Sequence, residues 1–465
     1  MAQHYGLVIL GSGTTAFAAA RQAAAKGVRV LMVEQSHLGG TCVNWGCVPS
    51  KTLIDKAELY FAARRGRDWG LNLEAGQPDA ATLMRLKKEA VETVRQTHYQ
   101  KELANSANID LVHGRGRFVS PREIRVGDET FPFDKMLIAV GGRPRVVSMP
   151  GLNQCHYLTS YSALHLEEFP ESVLMLGGGV IALEMGQMFA RFGTQVIILE
   201  RGDRLLREFD LRLTRTFADI LRGEGIHIMT EVEAERVESR PEGICLYSTV
   251  KGAPVGLCAE RLMLAVGTCP ATDDLGLEKA GVACDENGFI TVDDQLRTSV
   301  ENIWAAGDVT GPPLIAPAGA REALVAVENI LDPNAGRTID HTLSPMAVFV
   351  DPEFATVGLT TDQARQKGLD VEEAYIDLAR VPKAHVMGRF EGGFLLVAKR
   401  PSGRVLGCQI LAPRAADIIH EVTLAVRFGL TVSDLTTTVH VYPSLSDGVR
   451  MAARELCQRM NLPIV

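Results

Sequence analysis

Cysteine is scarce in this chain. Nine cysteines among 465 residues are too few for a disulfide-built scaffold and fit a reducing, cytoplasmic setting. No uncharged apolar run reaches about 18 residues, which excludes a membrane-spanning helix. Positive charge is not in excess: 48 Lys and Arg stand against 56 Asp and Glu, a net charge of −8. That balance argues against a nucleic-acid or anionic-membrane partner. The opening YGLVIL follows no basic stretch and no small-residue cleavage site, so no signal peptide is expected. Low-complexity segments and flexible linkers are also missing. What is present is ordinary globular material, 46% apolar and 22% charged, which excludes a disordered or fibrous chain. The length suggests roughly three domains.

Two glycine-rich turns carry the first positive signal. Leu7 to Leu10 reads as a strand, followed by Gly11-Ser12-Gly13-Thr14-Thr15-Ala16, an Ala-rich helix and a second strand, Val28 to Val33, ending at Glu34. This is a βαβ dinucleotide fingerprint with alanine in place of the third glycine. Gly11 permits the tight turn, and Gly13 lets backbone N–H groups approach a pyrophosphate at a helix N-terminus. Glu34 is placed to accept ribose hydroxyls. The pattern recurs: strand Val173 to Leu176, Gly177-Gly178-Gly179-Val180-Ile181-Ala182, a helix through Phe192, and strand Gln195 to Leu199 ending at Glu200. Two fingerprints mean two dinucleotide sites, usually one flavin and one nicotinamide. Ala81 to Asn105 between them is polar and helix-like. Residues 341–465 lack a fingerprint, and the stretches Ala347 to Val350, Gly393 to Ala398 and Val405 to Leu411 read as an antiparallel sheet with helices.

The segment Gly39-Gly40-Thr41-Cys42-Val43-Asn44-Trp45-Gly46-Cys47-Val48-Pro49-Ser50-Lys51 follows the first βαβ unit directly. Cysteines separated by four residues can sit in the first turn or so of a helix, close enough to form a disulfide. A helix N-terminus favours the thiolate needed for exchange. A zinc half-site or two buried structural cysteines are the competing readings, but no second CxxC or HxxxH pair stands out to complete a zinc site.

GGTCVNWGCVPSK resembles the redox-active disulfide motif of the class I pyridine nucleotide–disulfide oxidoreductases, which include glutathione reductase, dihydrolipoamide dehydrogenase and mercuric reductase. Leu137 to Gly142 and Leu264 to Thr268 resemble the two strand ends that mark domain crossings, with Gly141 and Gly267 at their turns. Asn302 to Asp308 resembles the second FAD motif, in which Gly307 precedes the ribityl-binding Asp308. Phe349 to Leu359 resembles the opening of the dimerisation domain. The resemblance implies an α/β fold with two Rossmann-like domains plus a C-terminal α+β dimerisation domain. Residues 1–145 would hold the first part of the FAD-binding domain with the redox disulfide. Residues 146–269 would form the NAD(P)-binding domain, 270–340 the second part of the FAD-binding domain, and 341–465 the interface domain of a homodimer. Cys42 would be the interchange thiol and Cys47 the thiol against the flavin. Lys51 and Glu184 match the pair placed beside flavin and nicotinamide, while Gly40 and Thr41 join the first fingerprint around FAD. Electrons would run from NADPH or NADH to FAD, to the disulfide, and on to a small-molecule or metal-ion acceptor.

The nicotinamide cofactor stays open. Glu200 should bind a 2′-hydroxyl and repel a 2′-phosphate, yet Arg201 and Arg207 are spaced like two arginines that grip that phosphate in the glutathione-reductase branch. The acceptor is narrowed by the C-terminal segment. Disulfide reductases of the family end in His-Pro-Thr followed by Glu. Here, aligned on Pro443, Tyr442 stands for the histidine and Asp447 for the glutamate, with His440 two residues earlier. A phenol with pKa of about 10 replaces imidazole poorly near neutral pH. Mercuric reductases also lack that histidine and carry a tyrosine nearby. GSGTTAFAAA, Arg380 to Ala384 and Asp447 to Ala453 resemble the same branch, and Val180 takes the place of the glutathione-reductase gating tyrosine. Hg(II) binds thiolates strongly and needs no proton delivered to a leaving sulfur, so Cys42 and Cys47 are candidate ligands of a substrate ion. The branch's terminal Cys-Cys pair is reduced to the single Cys457, and its N-terminal metal-binding domain is not in this sequence. A glutathione- or lipoamide-type disulfide reductase and a redox-sensing flavoprotein with a protein partner are the alternatives.

Overall fold

The computed structural model describes residues 5–464. Its first sheet is parallel, in the order Ile303–Ala305, Met136–Ile138, Leu7–Leu10, Val30–Glu34, Ile109–His113. A parallel sheet covered on both faces demands continuous apolar strands, and every residue of Leu7–Leu10 and Val30–Glu34 is buried. Helices Thr14–Ala25 and Ala316–Leu331 cover one face through Ala16, Ala20, Ala323 and Val327. A three-stranded antiparallel sheet over residues 116–132 covers the other through Phe118 and Ile124. The second strand starts at Val30 rather than Val28, because Lys26 and Gly27 still close the preceding helix by bonding Ala23 and Ala24 carbonyls.

A second parallel sheet takes the order His227–Met229, Gln195–Leu199, Ser172–Leu176, Arg261–Leu264. Beside it lies a three-stranded antiparallel meander, Val232–Arg240, Gly243–Val250 and Ala253–Ala259. The C-terminal sheet has five antiparallel strands in the order Met346–Val348, Glu353–Gly358, Arg404–Ala412, Gly393–Lys399, Val371–Asp377, with helices Ala415–Phe428 and Asp447–Met460 packed on it. The polar stretch expected to be helical is one: Ala80–Arg95, capped by Asp79, continues through a wider turn at Gln96–Gln100 into Lys101–Asn105. Among the described residues no helix is long and apolar enough to cross a membrane.

One apolar cluster crosses these parts. Leu53 and Ala57 of the helix that begins at Cys47, Leu183 and Met188 of the second-fingerprint helix, and Phe354 of the C-terminal sheet belong to it. Phe354 is fully buried, with the rings of Phe209 and Phe217 at 4.8 Å and 5.2 Å. Next to it Arg191, 4% exposed, bonds both oxygens of Glu224 at 2.9 Å and 2.7 Å and Asp351 at 3.0 Å. The guanidinium fork and its two carboxylates satisfy one another where water cannot.

A second buried carboxylate sits on helix Ala316–Leu331. Glu322 accepts the Gly307 N–H at 2.6 Å and lies 3.3 Å from His341 Nε2. Burial pushes its carboxyl up to about 7, and burial holds the His341 imidazole below its ordinary value.

Two outcomes follow. Phe354→Ala should cost about 3–5 kcal/mol, read as a lower denaturation midpoint; a cost under about 1 kcal/mol would mean the ring is not part of a shared core. For Glu322, the native chain holds a proton that the unfolded chain has released between its ordinary carboxyl range and about 7. Glu322's own contribution to stability should therefore fall as pH rises through that window. Glu322→Gln should flatten the thermal-melting profile there, and an unchanged slope would contradict the burial argument.

Candidate active site

The two fingerprint turns are built alike. A Cβ on Gly11 (φ +109°) would stand 2.4 Å from the Ala139 carbonyl oxygen, and one on Gly177 (φ +116°) would stand 2.3 Å from that of Ala265. In each case the turn is pressed against the strand end that crosses beside it, which only glycine allows. Helices Thr14–Ala25 and Val180–Arg191 start there, with no side-chain cap at Gly13 or Gly179. The first N–H groups of such a helix lack intrahelical partners and suit an anion such as a pyrophosphate. A Cβ on Gly40 would meet Gly13 Cα at 2.6 Å, so the cysteine segment is laid directly on the first turn.

The two acidic ends also match. Glu34 accepts from the Ser12 hydroxyl at 2.6 Å and from the Ser36 N–H at 2.6 Å. Glu200 accepts from the Gly178 N–H at 2.7 Å and the Gly202 N–H at 2.5 Å. A carboxylate offers about four lone-pair directions, so both retain capacity for ribose hydroxyls. Of the two arginines beside Glu200, Arg207 pairs with Asp203 at 3.2 Å, and Arg201 is exposed.

Cys42 and Cys47 are joined, with Cα atoms 4.7 Å apart. They do not share one helical turn, as their spacing suggested. Cys42 lies in the short helix Gly40–Asn44, the chain breaks at Trp45 and Gly46, and Cys47 is the first residue of helix Cys47–Arg64. The break has a cause: Asn44 donates its amide to the Leu38 and Gly40 carbonyls at 3.1 Å and 2.9 Å, and a Cβ at Gly46 would crowd the Thr41 carbonyl at 3.1 Å. Cys47 thus stands at a helix N-terminus, where the dipole favours its thiolate.

One turn further along that helix, Lys51 bonds Glu184 at 2.6 Å. Glu184 is 5% exposed, and its other oxygen accepts the Phe349 N–H at 2.9 Å. The Lys51 ammonium also lies 4.9 Å from the Phe349 ring centre.

These groups line a cleft of about 510 Å³. Gly11, Gly13, Thr14, Thr15, Glu34, Gly40, Thr41, Cys42, Cys47, Lys51, Gly141, Val180, Ile181, Glu184 and Asp308 all face it. Ala16 is buried within its helix, and Gly307 lies behind the wall, where a Cβ would meet Thr15 Oγ1 at 2.6 Å. Gly177, Gly179, Glu200, Arg201, Arg207 and Gly267 belong to the second turn and its surroundings, beyond this cleft. A flavin dinucleotide fits the residues present: a glycine cradle at a helix N-terminus, Glu34 beyond it, and Asp308, whose carboxyl is raised by burial, at the far wall.

Two lining residues were not singled out from the sequence. Trp45 stacks on Tyr161, ring centres 5.5 Å apart at 21°. The Tyr161 hydroxyl lies 2.8 Å from Thr41 Oγ1 and 3.2 Å from the Gly142 carbonyl, and burial raises its pKa. Trp45 lies inside the quoted motif; nothing local marks Tyr161.

The C-terminal candidates lie away from this chain's own cleft. Tyr442 is 73% exposed, next to exposed Val439 and Val441. His440 has both ring nitrogens occupied, Nδ1 at 2.9 Å from the Thr438 carbonyl and Nε2 at 2.7 Å from Glu421. Its carboxylate partner is Glu421 on helix Ala415–Phe428, while Asp447, aligned above with the family's glutamate, is buried and bonded to Arg450 at 2.8 Å. Cys457 is fully buried among Ser433 and Thr436.

Comparison with known proteins agrees with this geometry. Residues 5–327 match the model of the pyridine nucleotide-disulphide oxidoreductase family, and residues 344–453 match its dimerisation domain. The chain is 37% identical to a mercuric reductase of Staphylococcus aureus, over 97% of this chain and 82% of that one. It is 34% identical to a dihydrolipoyl dehydrogenase of Bacillus subtilis, over 98% and 97%. Among solved structures, the Cu(II) complex of the HOCl-induced flavoprotein disulfide reductase RclA from Escherichia coli superposes with a TM-score of 0.87 at 30% identity, covering 98% of this chain and all of that one. With the paired glycine turns, the joined cysteines and the Lys51–Glu184 bridge in place, the chain belongs to the pyridine nucleotide–disulphide oxidoreductase family.

Proposed function

We propose that this oxidoreductase takes electrons from NAD(P)H and delivers them, by way of FAD and the Cys42–Cys47 pair, to a soft metal ion, Hg(II) in the first instance. Bound FAD supplies the hydride chemistry between the nicotinamide and the disulfide. The chain's own residues do the rest. The helix starting at Cys47 stabilises one thiolate, and Lys51 and Glu184 fix the relation between the cysteine helix and the second-fingerprint helix. Cys42 and Cys47, once reduced, offer two soft ligands inside the cleft. The balance is NAD(P)H and Hg(II) going to NAD(P)⁺, Hg(0) and a proton.

The observation that carries this reading is the occupied imidazole of His440. A disulfide acceptor needs an acid to protonate its leaving thiolate, and both ring nitrogens of His440 are engaged within its own chain. Tyr442, exposed on the same loop, presents a phenol in place of an imidazole. A thiolate-bound ion needs no such proton. The mercuric reductases at 37% identity support the same direction. Since Cys457 is sealed in the core, the ion would have to reach Cys42 directly rather than through a terminal thiol. Either nicotinamide remains compatible: Glu200 favours a free 2′-hydroxyl, and Arg201 and Arg207 could hold a phosphate after Arg207 leaves Asp203. A dimerisation domain fits a homodimer, and we assign the Val439–Tyr442 loop to its interface.

A disulfide reductase is the second reading, favoured by the dihydrolipoyl dehydrogenase relatives at 34% identity. Anaerobic NADPH oxidation on addition of Hg(II) with excess small thiol separates them. Cysteine-dependent turnover, lost in Cys42→Ala, is expected; no turnover while NADPH still reduces the flavin would withdraw the metal reading. Tyr442→His should raise disulfide turnover roughly tenfold or more, a fraction of what a placed acid supplies. No gain would mean that the loop does not reach an acceptor.

A further inference from the structure

Cys245 and Cys258 play no part in the site above, yet the structure joins them too. They face each other across the hairpin formed by Gly243–Val250 and Ala253–Ala259, in direct register and with Cα atoms 4.0 Å apart. That spacing belongs to a narrow, non-hydrogen-bonded antiparallel pair, in which opposed side chains come closest. Their surroundings differ. Cys258 is exposed on the edge strand of its sheet, whereas Cys245 on the central strand is almost fully buried. Cys245 is on the outer face with Glu238 opposite and Tyr247 two residues on. Arg236 and Arg240 close over that face, bonded to Glu238, with Arg236 against the Tyr247 ring.

The hairpin does not depend on the bond. Its seven register pairs run from Ile244–Ala259 to Val250–Ala253. The two-residue turn, Lys251 and Gly252, has both residues at positive φ (50° and 81°), the geometry of a tight hairpin turn. The inner face, Ile244 and Leu246, is anchored in a core with Leu174 and Leu199. Chain closure at this point is therefore achieved by the ladder and the turn, and the disulfide can open without releasing the strands.

We propose that Cys245 and Cys258 form a second, reversible thiol–disulfide site, separate from Cys42–Cys47, which exchanges with small-molecule thiols and disulfides in the folded protein. In the oxidising direction the exposed Cys258 thiolate attacks a small disulfide, RSSR, giving a Cys258–S–SR mixed disulfide and one RSH. The Cys245 thiol then loses its proton and attacks Cys258 Sγ, forming the Cys245–Cys258 bond and releasing the second RSH. Two protein thiols are oxidised and one external disulfide is reduced. The reverse begins with attack of RS⁻ on the accessible Cys258 sulfur, because Cys245 is shielded. The roles are fixed by exposure: Cys258 meets the reagent and Cys245 resolves.

The test equilibrates the flavin-loaded protein in glutathione and glutathione disulfide at varied ratio, with acid quench, alkylation and peptide mass mapping of residues 245 and 258. The pair should pass from fully joined to fully free while the flavin stays bound and the near-ultraviolet dichroism is unchanged. Cys245→Ser should leave Cys258 carrying a stable glutathione adduct, and Cys258→Ser should leave Cys245 unmodified until the protein is unfolded. A bond that survives excess thiol until denaturant is added would make it purely structural and overturn the proposal. So would two free thiols under excess glutathione disulfide, or a Cys245→Ser variant that takes up no glutathione. These readouts follow the hairpin cysteines alone, so their failure would leave the metal-ion reading of the cleft untouched.

Discussion

A single buried carboxylate connects the three parts of this molecule. Glu184 lies on the helix that opens at the second fingerprint; one of its oxygens takes the Lys51 ammonium from the cysteine helix, and the other takes the Phe349 N–H at the edge of the C-terminal sheet. A charge this deeply placed is tolerable only when it is paired and hydrogen-bonded, as each oxygen of Glu184 is. The relative position of the two nucleotide turns and the disulfide is therefore held by electrostatic necessity as well as by packing. Removing Lys51 would leave the Glu184 carboxylate, 5% exposed, without its counter-charge, which ordinarily costs more than a surface ion pair contributes.

The packing beneath repeats the same convergence. The apolar cluster around Phe354 draws on the cysteine helix, the second-fingerprint helix and the C-terminal sheet, and Arg191 joins Glu224 to Asp351 next to it. Rigid positioning suits the chemistry. Electron transfer through a disulfide asks the protein for fixed distances and a stabilised thiolate, while the redox steps belong to the cofactors. The cysteine segment gains its precision from close backbone approach, Gly40 upon Gly13, which no larger residue permits.

Much of this was legible in the sequence because it is local. The strands Leu7–Leu10 and Gln195–Leu199 were delimited as the structure has them, since apolar runs bounded by a glycine turn and an acid leave little choice. The cysteine motif and Lys51 were visible for the same reason. What escaped depends on contacts between distant residues. The break at Trp45–Gly46 arises from Asn44 reaching back to Leu38. Glu421 meets His440 only because helix Ala415–Phe428 lies along the C-terminal loop, a contact 19 residues apart that no local motif marks. Tyr161 reaches Thr41 across 120 residues. The Cys245–Cys258 pair needs the hairpin register, which a one-residue slip would destroy, and neither cysteine carries a motif of its own.

In the electron path proposed above, the cleft, the Lys51–Glu184 bridge and the disulfide act as one unit. The most direct test is to reduce the flavin-loaded protein anaerobically with one equivalent of NADPH or NADH, then count free thiols at Cys42 and Cys47 by alkylation and peptide mapping. The path described here requires both cysteines to become thiols at that single equivalent. A disulfide that stays closed while the flavin has taken up the electrons would contradict it.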